Sequence, residues 1–254
     1  MAATSLGDAC VLITGASSGI GRACAEAFAA EGCRLVLAAR RRDRLEDLAA
    51  ALPVPTLPVD LDVRDRSAVD AAIGGLPPGW ADVDVLVNNA GLAVGFGPLP
   101  DNDPADWDRM IDTNVTGLLN VIHAVLPGML ARGRGHIVNI GSIAGRETYP
   151  NGAVYCASKA AVDRITAGLR MDVVGSGVKA SVIQPGLVET EFSMVRFGGD
   201  AERAETVYAG LDPLTGADIA DAVLWVVSRP AHVQVAEVVV LAGAQASATI
   251  VHRR

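Results

Sequence analysis

Seven short aliphatic runs, separated by stretches long enough for helices, set the strongest constraint on how this chain can fold. The runs fall at residues 10–14, 34–39, 56–60, 83–88, 136–140, 179–184 and 237–241, bounded by Gly, Pro, Asp or Asn. Their apolarity is continuous rather than alternating. A strand has that pattern when both faces of its sheet are covered, as in parallel sheets. The segments between them, at 19–31, 41–51, 65–73, 104–132, 153–174 and 216–227, have helical length. The alternation predicts an α/β fold: a doubly wound, seven-stranded parallel sheet with helices on both faces. No repeat, linker or low-complexity segment divides the 254 residues, so residues 1–254 read as one domain. Half the residues are apolar, and a chain of this size buries roughly 70% of its unfolded surface, enough for a core without disulfides or structural metal. Residues 191–213 break the rhythm and carry Phe192, Met194, Phe197 and Tyr208; a long irregular segment of this kind reads as a lid over a site.

The charge balance, 21 basic against 29 acidic residues for a net −8, disfavours a nucleic-acid partner, which needs phosphates neutralised. No apolar run approaches the roughly 18 residues that a membrane span requires. The start, Met-Ala-Ala-Thr-Ser-Leu-Gly-Asp, lacks a basic region followed by an apolar stretch. Cys10, Cys24, Cys33 and Cys156 are too scattered for a disulfide framework, and no Cys-x-x-Cys or His pair stands at metal spacing. The expectation is a cytoplasmic protein with reduced thiols, no metal and no membrane partner. His123, inside an apolar helix, and His136, at a strand entrance, read as structural. The ending His252-Arg253-Arg254 reads more simply as a frayed terminus than as a reach into a neighbouring subunit.

After the first run comes Thr14-Gly15-Ala16-Ser17-Ser18-Gly19-Ile20-Gly21, opening a helix. Glycines let such a turn take positive φ and bring backbone N–H groups up to a pyrophosphate at the positive end of the helix. The spacing is G-x-x-x-G-x-G, with no Lys-Ser/Thr after it, so a P-loop is excluded. The second run ends Ala38-Ala39-Arg40-Arg41-Arg42. A site reading NAD would place a carboxylate there for the ribose 2′-hydroxyl; this chain has Ala39 followed by Arg40. A guanidinium fits a 2′-phosphate by forked, charge-assisted hydrogen bonds, so NADP(H) is predicted over NAD(H).

Tyr155-Cys156-Ala157-Ser158-Lys159 puts Tyr155 and Lys159 four residues apart on one helix face. A free phenol, with pKa near 10, is a poor base at neutral pH, and a nearby ammonium would favour the phenolate. Ser142 follows the run at 136–140, at the carboxyl edge where open α/β sheets bind ligands.

With these pieces the chain resembles the short-chain dehydrogenase/reductase family over nearly its whole length, which implies a single Rossmann-type domain. The resemblance rests on Thr14-Gly15-x-x-x-Gly19-Ile20-Gly21, Asp62, Asn88-Asn89-Ala90-Gly91, Asn114, Ser142, Tyr155-x-x-x-Lys159 and Pro185-Gly186-x-Val188-x-Thr190. It implies that Asn114, Ser142, Tyr155 and Lys159 form a catalytic tetrad, with Asn114 holding a water that links Lys159 to solvent. It implies that Asp62 accepts a hydrogen bond from the adenine amino group, and that Val188 and Thr190 hold the nicotinamide carboxamide. The cofactor set becomes Gly15, Ser17, Ser18, Gly19, Ile20, Gly21, Arg40, Arg41, Asp62, Val63, Asn88, Ala90, Gly91, Tyr155, Lys159, Pro185, Gly186, Val188 and Thr190. Trp107-x-x-Met110-Ile111-Asp112-Thr113-Asn114 and Thr190-Glu191-Phe192-Ser193-x-Val195-Arg196-Phe197 look like the NADP-dependent 3-hydroxy acid, serine and allo-threonine dehydrogenase branch, with sulfoacetaldehyde reductases nearby.

The implied reaction is hydride transfer between the nicotinamide and a small hydroxy acid, with Tyr155 as proton acceptor and Ser142 steadying the carbonyl oxygen. A small acid would need a cation near the nicotinamide, and Arg196 and Arg146 are the candidates beside Ser142 and Tyr155. A reductase of bulkier ketones is the alternative within this chemistry, and a non-catalytic dinucleotide sensor the alternative outside it. The family likeness also implies a homotetramer or homodimer. Arg40→Ala is expected to weaken NADPH binding; unchanged affinity in a direct titration would count against the 2′-phosphate assignment.

Overall fold

The computed structural model describes residues 6–254; the part of the N-terminal stretch read for an export signal that falls at residues 1–5 lies outside them. Seven strands, β1 (Cys10–Thr14), β2 (Arg34–Ala39), β3 (Thr56–Asp60), β4 (Val85–Asn88), β5 (Gly135–Ile140), β6 (Val178–Pro185) and β7 (Glu237–Val240), form one sheet. All neighbours run parallel, in the order β3-β2-β1-β4-β5-β6-β7. The predicted fold class is the observed one. Strand order reverses between β1 and β4, and the crevice that opens at such a reversal is where open α/β sheets take their ligands.

The continuous apolarity of the strands has a direct cause in the packing. Along β1, Val11 and Ile13 enter one core with Phe28, Leu45 and Ile219, from α1 (Gly19–Ala30), α2 (Arg42–Ala51) and α9 (Gly216–Val227). Cys10 and Leu12 enter the opposite core with Val69, Val121 and Val162. Those come from α3 (Arg66–Gly74), α5 (Leu118–Arg132) and α6 (Ala153–Asp172). Both strand faces are therefore buried, and no polar alternation is tolerated.

Several sequence-based boundaries shift by a residue or two, and one expected helix is broken. The strand expected at 83–88 starts at Val85. The helix expected over 104–132 is not continuous: α4 (Pro104–Ile111) passes through a six-residue π-helical segment, Asp112–Gly117, into α5. Asp103 caps α4, its carboxylate accepting from Ala105 N at 2.9 Å. The π segment contains Asn114 and ends at Gly117, where a Cβ would sit 2.6 Å from Val63 Cγ2. The lack of a side chain there lets the segment lie against the loop after β3. The residues from Pro104 to Arg132 do contain a window apolar and long enough by composition to cross a membrane, contrary to the sequence reading. Leu118, Val121, Ile122, Val125 and Met129 of that stretch pack into the sheet, which accounts for its apolarity. Between β6 and α9, the irregular segment forms two short helices, α7 (Phe192–Arg196) and α8 (Ala201–Thr206).

His136 is a structural group, as expected: it is buried at the start of β5 with Nε2 2.8 Å from Ser181 Oγ. Burial, aided by the Lys179 charge, holds its pKa down to about 3, from 6.5. Below pH 6.5 the unfolded chain takes up a proton that folded His136 refuses, so this group lowers stability as pH falls from 6.5 towards 3. Between pH 7 and 5 the wild type should lose about 2 kcal/mol more stability than His136→Gln, measured by urea unfolding. Equal losses would show that this imidazole does not titrate as its burial demands.

Candidate active site

The crevice at the sheet reversal opens into a cleft of about 760 Å³. Its floor begins with the turn after β1, where Gly15 (φ +67°) and Gly19 (φ +53°) adopt the left-handed region that favours glycine. A Cβ on Gly21 would lie 2.6 Å from Asn89 Nδ2, so the turn can close only without one. Asn89, rather than Asn88, braces the turn: its Nδ2 donates to Thr14 O at 2.9 Å and Gly15 O at 3.3 Å. Asn88 is buried beneath the cleft wall and donates to Leu118 O at 3.0 Å. Ser18 precedes α1 but gives it no side-chain cap. Its hydroxyl instead accepts from Arg41 Nη2 at 2.7 Å, leaving the first-turn amides of α1 to an anion. A backbone cradle of glycines at a helix N-terminus suits a dinucleotide pyrophosphate.

Beyond the turn, Ala39, Arg40, Arg41, Asp62 and Val63 line the far end of the cleft. Arg40 is exposed there. Arg41 is bound inward: Nε and Nη2 donate to Ser17 Oγ at 3.1 and 3.0 Å, and Nη1 meets Glu191 at 2.9 Å. Both Asp62 oxygens accept from Arg64, at 2.6–3.0 Å, and these hydrogen bonds hold the carboxyl below its usual range. An adenine amino group would therefore share Asp62 with that guanidinium.

At the other end, β5 and α6 bring Ser142, Tyr155 and Lys159 together. Ser142 caps a short 3₁₀ turn, Ile143–Gly145, its Oγ accepting from Ala144 N at 3.1 Å. The Tyr155 ring is buried and packs on Phe192, with centroids 5.6 Å apart. Lys159, also buried, donates from Nζ to Ile140 O, the last carbonyl of β5, at 2.8 Å. Asn114 uses both its amide hydrogens and one lone pair of its oxygen locally. Its Oδ1 accepts from Leu92 N at 2.8 Å, and its Nδ2 donates to Leu92 O at 2.8 Å and Ser158 Oγ at 3.0 Å. The position of an absent Gly91 Cβ lies 3.2 Å from Asn114 Oδ1 and 3.5 Å from Lys159 Nζ, so these groups share one small space that a side chain would fill.

The electrostatics differ from the simple picture of an ammonium acidifying a phenol. Burial pushes the Tyr155 phenol above its ordinary value, and neighbouring Tyr149 adds to the rise. The leading influences that pull it down are the Ser142 hydrogen bond and the Arg196 charge, not Lys159. Burial lowers Lys159 to about 8, opposed by the carboxylate of Asp163 one turn further along α6.

Arg196 enters the cleft from α7 and lies over three rings: Phe96 at 4.8 Å, Tyr149 at 5.3 Å and Tyr155 at 5.7 Å. Its Nη2 donates to Tyr149 Oη at 2.9 Å. Its Nε is buried without a hydrogen-bond partner, and among the described residues no carboxylate pairs with it. Arg146 is not brought to the cleft. It turns outward to Gln184 Oε1 at 3.1 Å and Glu237 at 3.2 Å, drawn by a carboxylate on β7 that lies 91 residues further along the chain.

Sequence reasoning missed Phe96 and Tyr149, which arrive from loops without periodicity. It also misjudged the C-terminus. Ala248, Thr249 and Arg253 line the cleft of their own chain, with Arg253 Nη2 bound to Val207 O at 2.9 Å and Arg254 N to Gly210 O at 2.9 Å.

Tyrosine and lysine buried a short reach from a dinucleotide cradle can hand a proton to an oxygen while a hydride is exchanged at the adjoining carbon. That arrangement defines a dinucleotide-dependent oxidoreductase. The chain belongs to the short chain dehydrogenase family, whose pattern its residues 9–199 match. It is 49% identical over 227 residues to a sulfoacetaldehyde reductase of Chromohalobacter salexigens, covering 88% of this chain and 90% of that one. It is 46% identical over 245 residues to the NADP-dependent 3-hydroxy acid dehydrogenase YdfG of Salmonella typhi, covering 96% and 99%. Among solved structures, the closed form of a serine dehydrogenase complexed with NADP⁺ superposes with a TM-score of 0.92 at 43% identity, over 96% of this chain and 99% of that one.

Proposed function

We propose that the chain is an NADP(H)-dependent dehydrogenase of small hydroxy acids of the serine, allo-threonine or 3-hydroxy acid type, working equally as reductase of the matching carbonyl compounds. The observation that carries the substrate class is Arg196: a guanidinium set against Tyr155, held by three aromatic faces, with one buried N–H unpartnered. An unmatched polar group in such a place is costly until an anion meets it. A carboxylate one or two carbons from the carbinol would meet it while the carbinol oxygen reached Tyr155 and Ser142. Sulfoacetaldehyde, whose sulfonate answers the same cation, is the second reading; the relative with that name supports it. A neutral, bulky ketone leaves Arg196 unanswered. A pure sensor would have no use for the proton-handling residues gathered around Tyr155.

The glycine turn would hold the pyrophosphate, Arg40 and Arg41 the 2′-phosphate, Asp62 and Val63 the adenine side, and Ala90, Gly91, Pro185, Gly186, Val188 and Thr190 the nicotinamide half. The cofactor supplies the hydride chemistry when bound. The chain's own residues manage the proton and the oxygen. Because burial favours its neutral form, Tyr155 Oη is a proton donor at neutral pH, which suits carbonyl reduction. Oxidation needs the phenolate and gains as pH rises. Ser142 Oγ donates to the same substrate oxygen. Lys159, at about 8, binds and releases a proton close to working pH. Asn114 acts through position, fixing the Leu92 backbone and Ser158 beside Tyr155 and Lys159.

Residues 191–213 form the lid in this reading, within one domain that spans the chain. Exposed Leu119 and Leu130 on α5, Met171 in the last turn of α6 and Val174 just beyond it support a homotetramer or homodimer. The cytoplasm is the proposed compartment, with no nucleic-acid or membrane partner. Arg196→Ala tests the substrate class: KM for serine, 3-hydroxybutyrate or sulfoacetaldehyde should rise at least about tenfold, the weight of a lost charge-assisted hydrogen bond, while KM for a neutral ketone changes little. Equal rises for anionic and neutral substrates would end the anion-clamp reading.

A further inference from the structure

Glu191 lies directly before α7, at the root of residues 191–213, beside a Thr190 whose Cβ is 3.2 Å from where a Gly19 Cβ would stand. Its carboxylate accepts from two guanidiniums at the start of α2, 2.9 Å from Arg41 Nη1 and 2.7 and 3.0 Å from Arg44 Nη1. Arg41 commits its remaining nitrogens to Ser17 and Ser18. One carboxylate thus joins the lid's root to α2 and, through Arg41, to the glycine turn. The two arginines, Arg41 first, hold Glu191 below the usual carboxylate range.

These side chains are 42–48% exposed, and ion pairs so wet add little to global stability. Their effect is local, on where the lid's root sits and on the charge that Arg41 and Arg44 present. We propose that Glu191 is a shared counter-ion that tethers the root of the lid to Arg41 and Arg44 and, by partly neutralising them, tempers the grip on the 2′-phosphate of the cofactor. This rests on the 2′-phosphate lying at Arg40 and Arg41. The two roles have opposite consequences when the carboxylate is removed: the lid's root loosens, while Arg41 and Arg44 turn their full charge on the incoming phosphate. A residue that merely held the fold would loosen both.

Glu191→Gln keeps the shape and removes the charge. On the whole enzyme, NADPH and NADH affinities at low and high salt, and hydrogen exchange over residues 191–197 with NADPH bound, read the two roles separately. The NADPH Kd should fall about two- to fivefold, less at high salt, with NADH affinity unmoved and exchange faster. Arg44→Gln should speed the same exchange without tightening NADPH, since it removes a cation along with the tether. NADPH affinity that is unchanged or weaker in Glu191→Gln, or exchange at the wild-type rate, overturns the proposal. Failure of the phosphate placement is distinguishable: Arg40→Ala would then leave NADPH affinity untouched, and Glu191→Gln would move NADPH and NADH alike while still speeding exchange.

Discussion

Thr14 Oγ1 stands at the reversal of the sheet, where β1 and β4 part company. It accepts from the backbone amides of Asn89 and Ala90, each at 3.0 Å, and donates to Asn88 Oδ1 at 3.4 Å. The side chain is fully buried, so these bonds are made without competition from water. They fasten the end of β4 to the end of β1 and place Asn89 under the glycine turn. From that junction the cleft follows: the turn is braced from below, Gly91 is brought beside Asn114 and Lys159, and the carboxyl ends of β5 and β6 face the same space.

Burial dominates the chemistry at the end of the cleft that holds Ser142, Tyr155 and Lys159. Tyr155 and Lys159 are both withdrawn from water, and withdrawal favours the neutral form of each: the phenol is pushed up and the ammonium down to about 8. The two groups are thereby moved into roles that an exposed tyrosine and lysine could not fill together. In the proposed reaction one keeps its proton until a substrate oxygen needs it, and the other exchanges protons near working pH. Ser142 and Arg196 supply the opposing pull on the phenol. In the proposed reaction the same guanidinium both attracts an anionic substrate and tunes the proton donor.

The sheet, its helices and the glycine turn are legible in the sequence because each rests on local pattern: continuous apolar runs, helical spacing, and glycines where positive φ is needed. Tyr155 and Lys159 are legible as a pair for the same reason, since four residues on a helix fix one face. What could not be read is direction. Lys159 turns to the Ile140 carbonyl rather than to the phenol, and Asn88 points into the core while its neighbour Asn89 props the turn. The family likeness around Arg196 favours it over Arg146 in the sequence, and the carboxylate of Glu237 on one side and the ring faces on the other separate them in the fold. The π segment at Asn114 falls in a run apolar enough to suggest an unbroken helix. The tail, with no periodicity at all, closes the cleft by backbone and Arg253 contacts that no residue pattern announces.

The proposed reaction needs Tyr155 as the group that hands a proton to and from the substrate oxygen. Steady-state turnover of Tyr155→Phe, with NADPH binding measured in parallel, tests it most directly. The change removes one hydroxyl from a ring that stays packed on Phe192. Loss of general acid–base catalysis should lower turnover about a hundredfold or more while NADPH still binds. Near-normal turnover with the cofactor bound would contradict the mechanism and leave only a dinucleotide-binding scaffold.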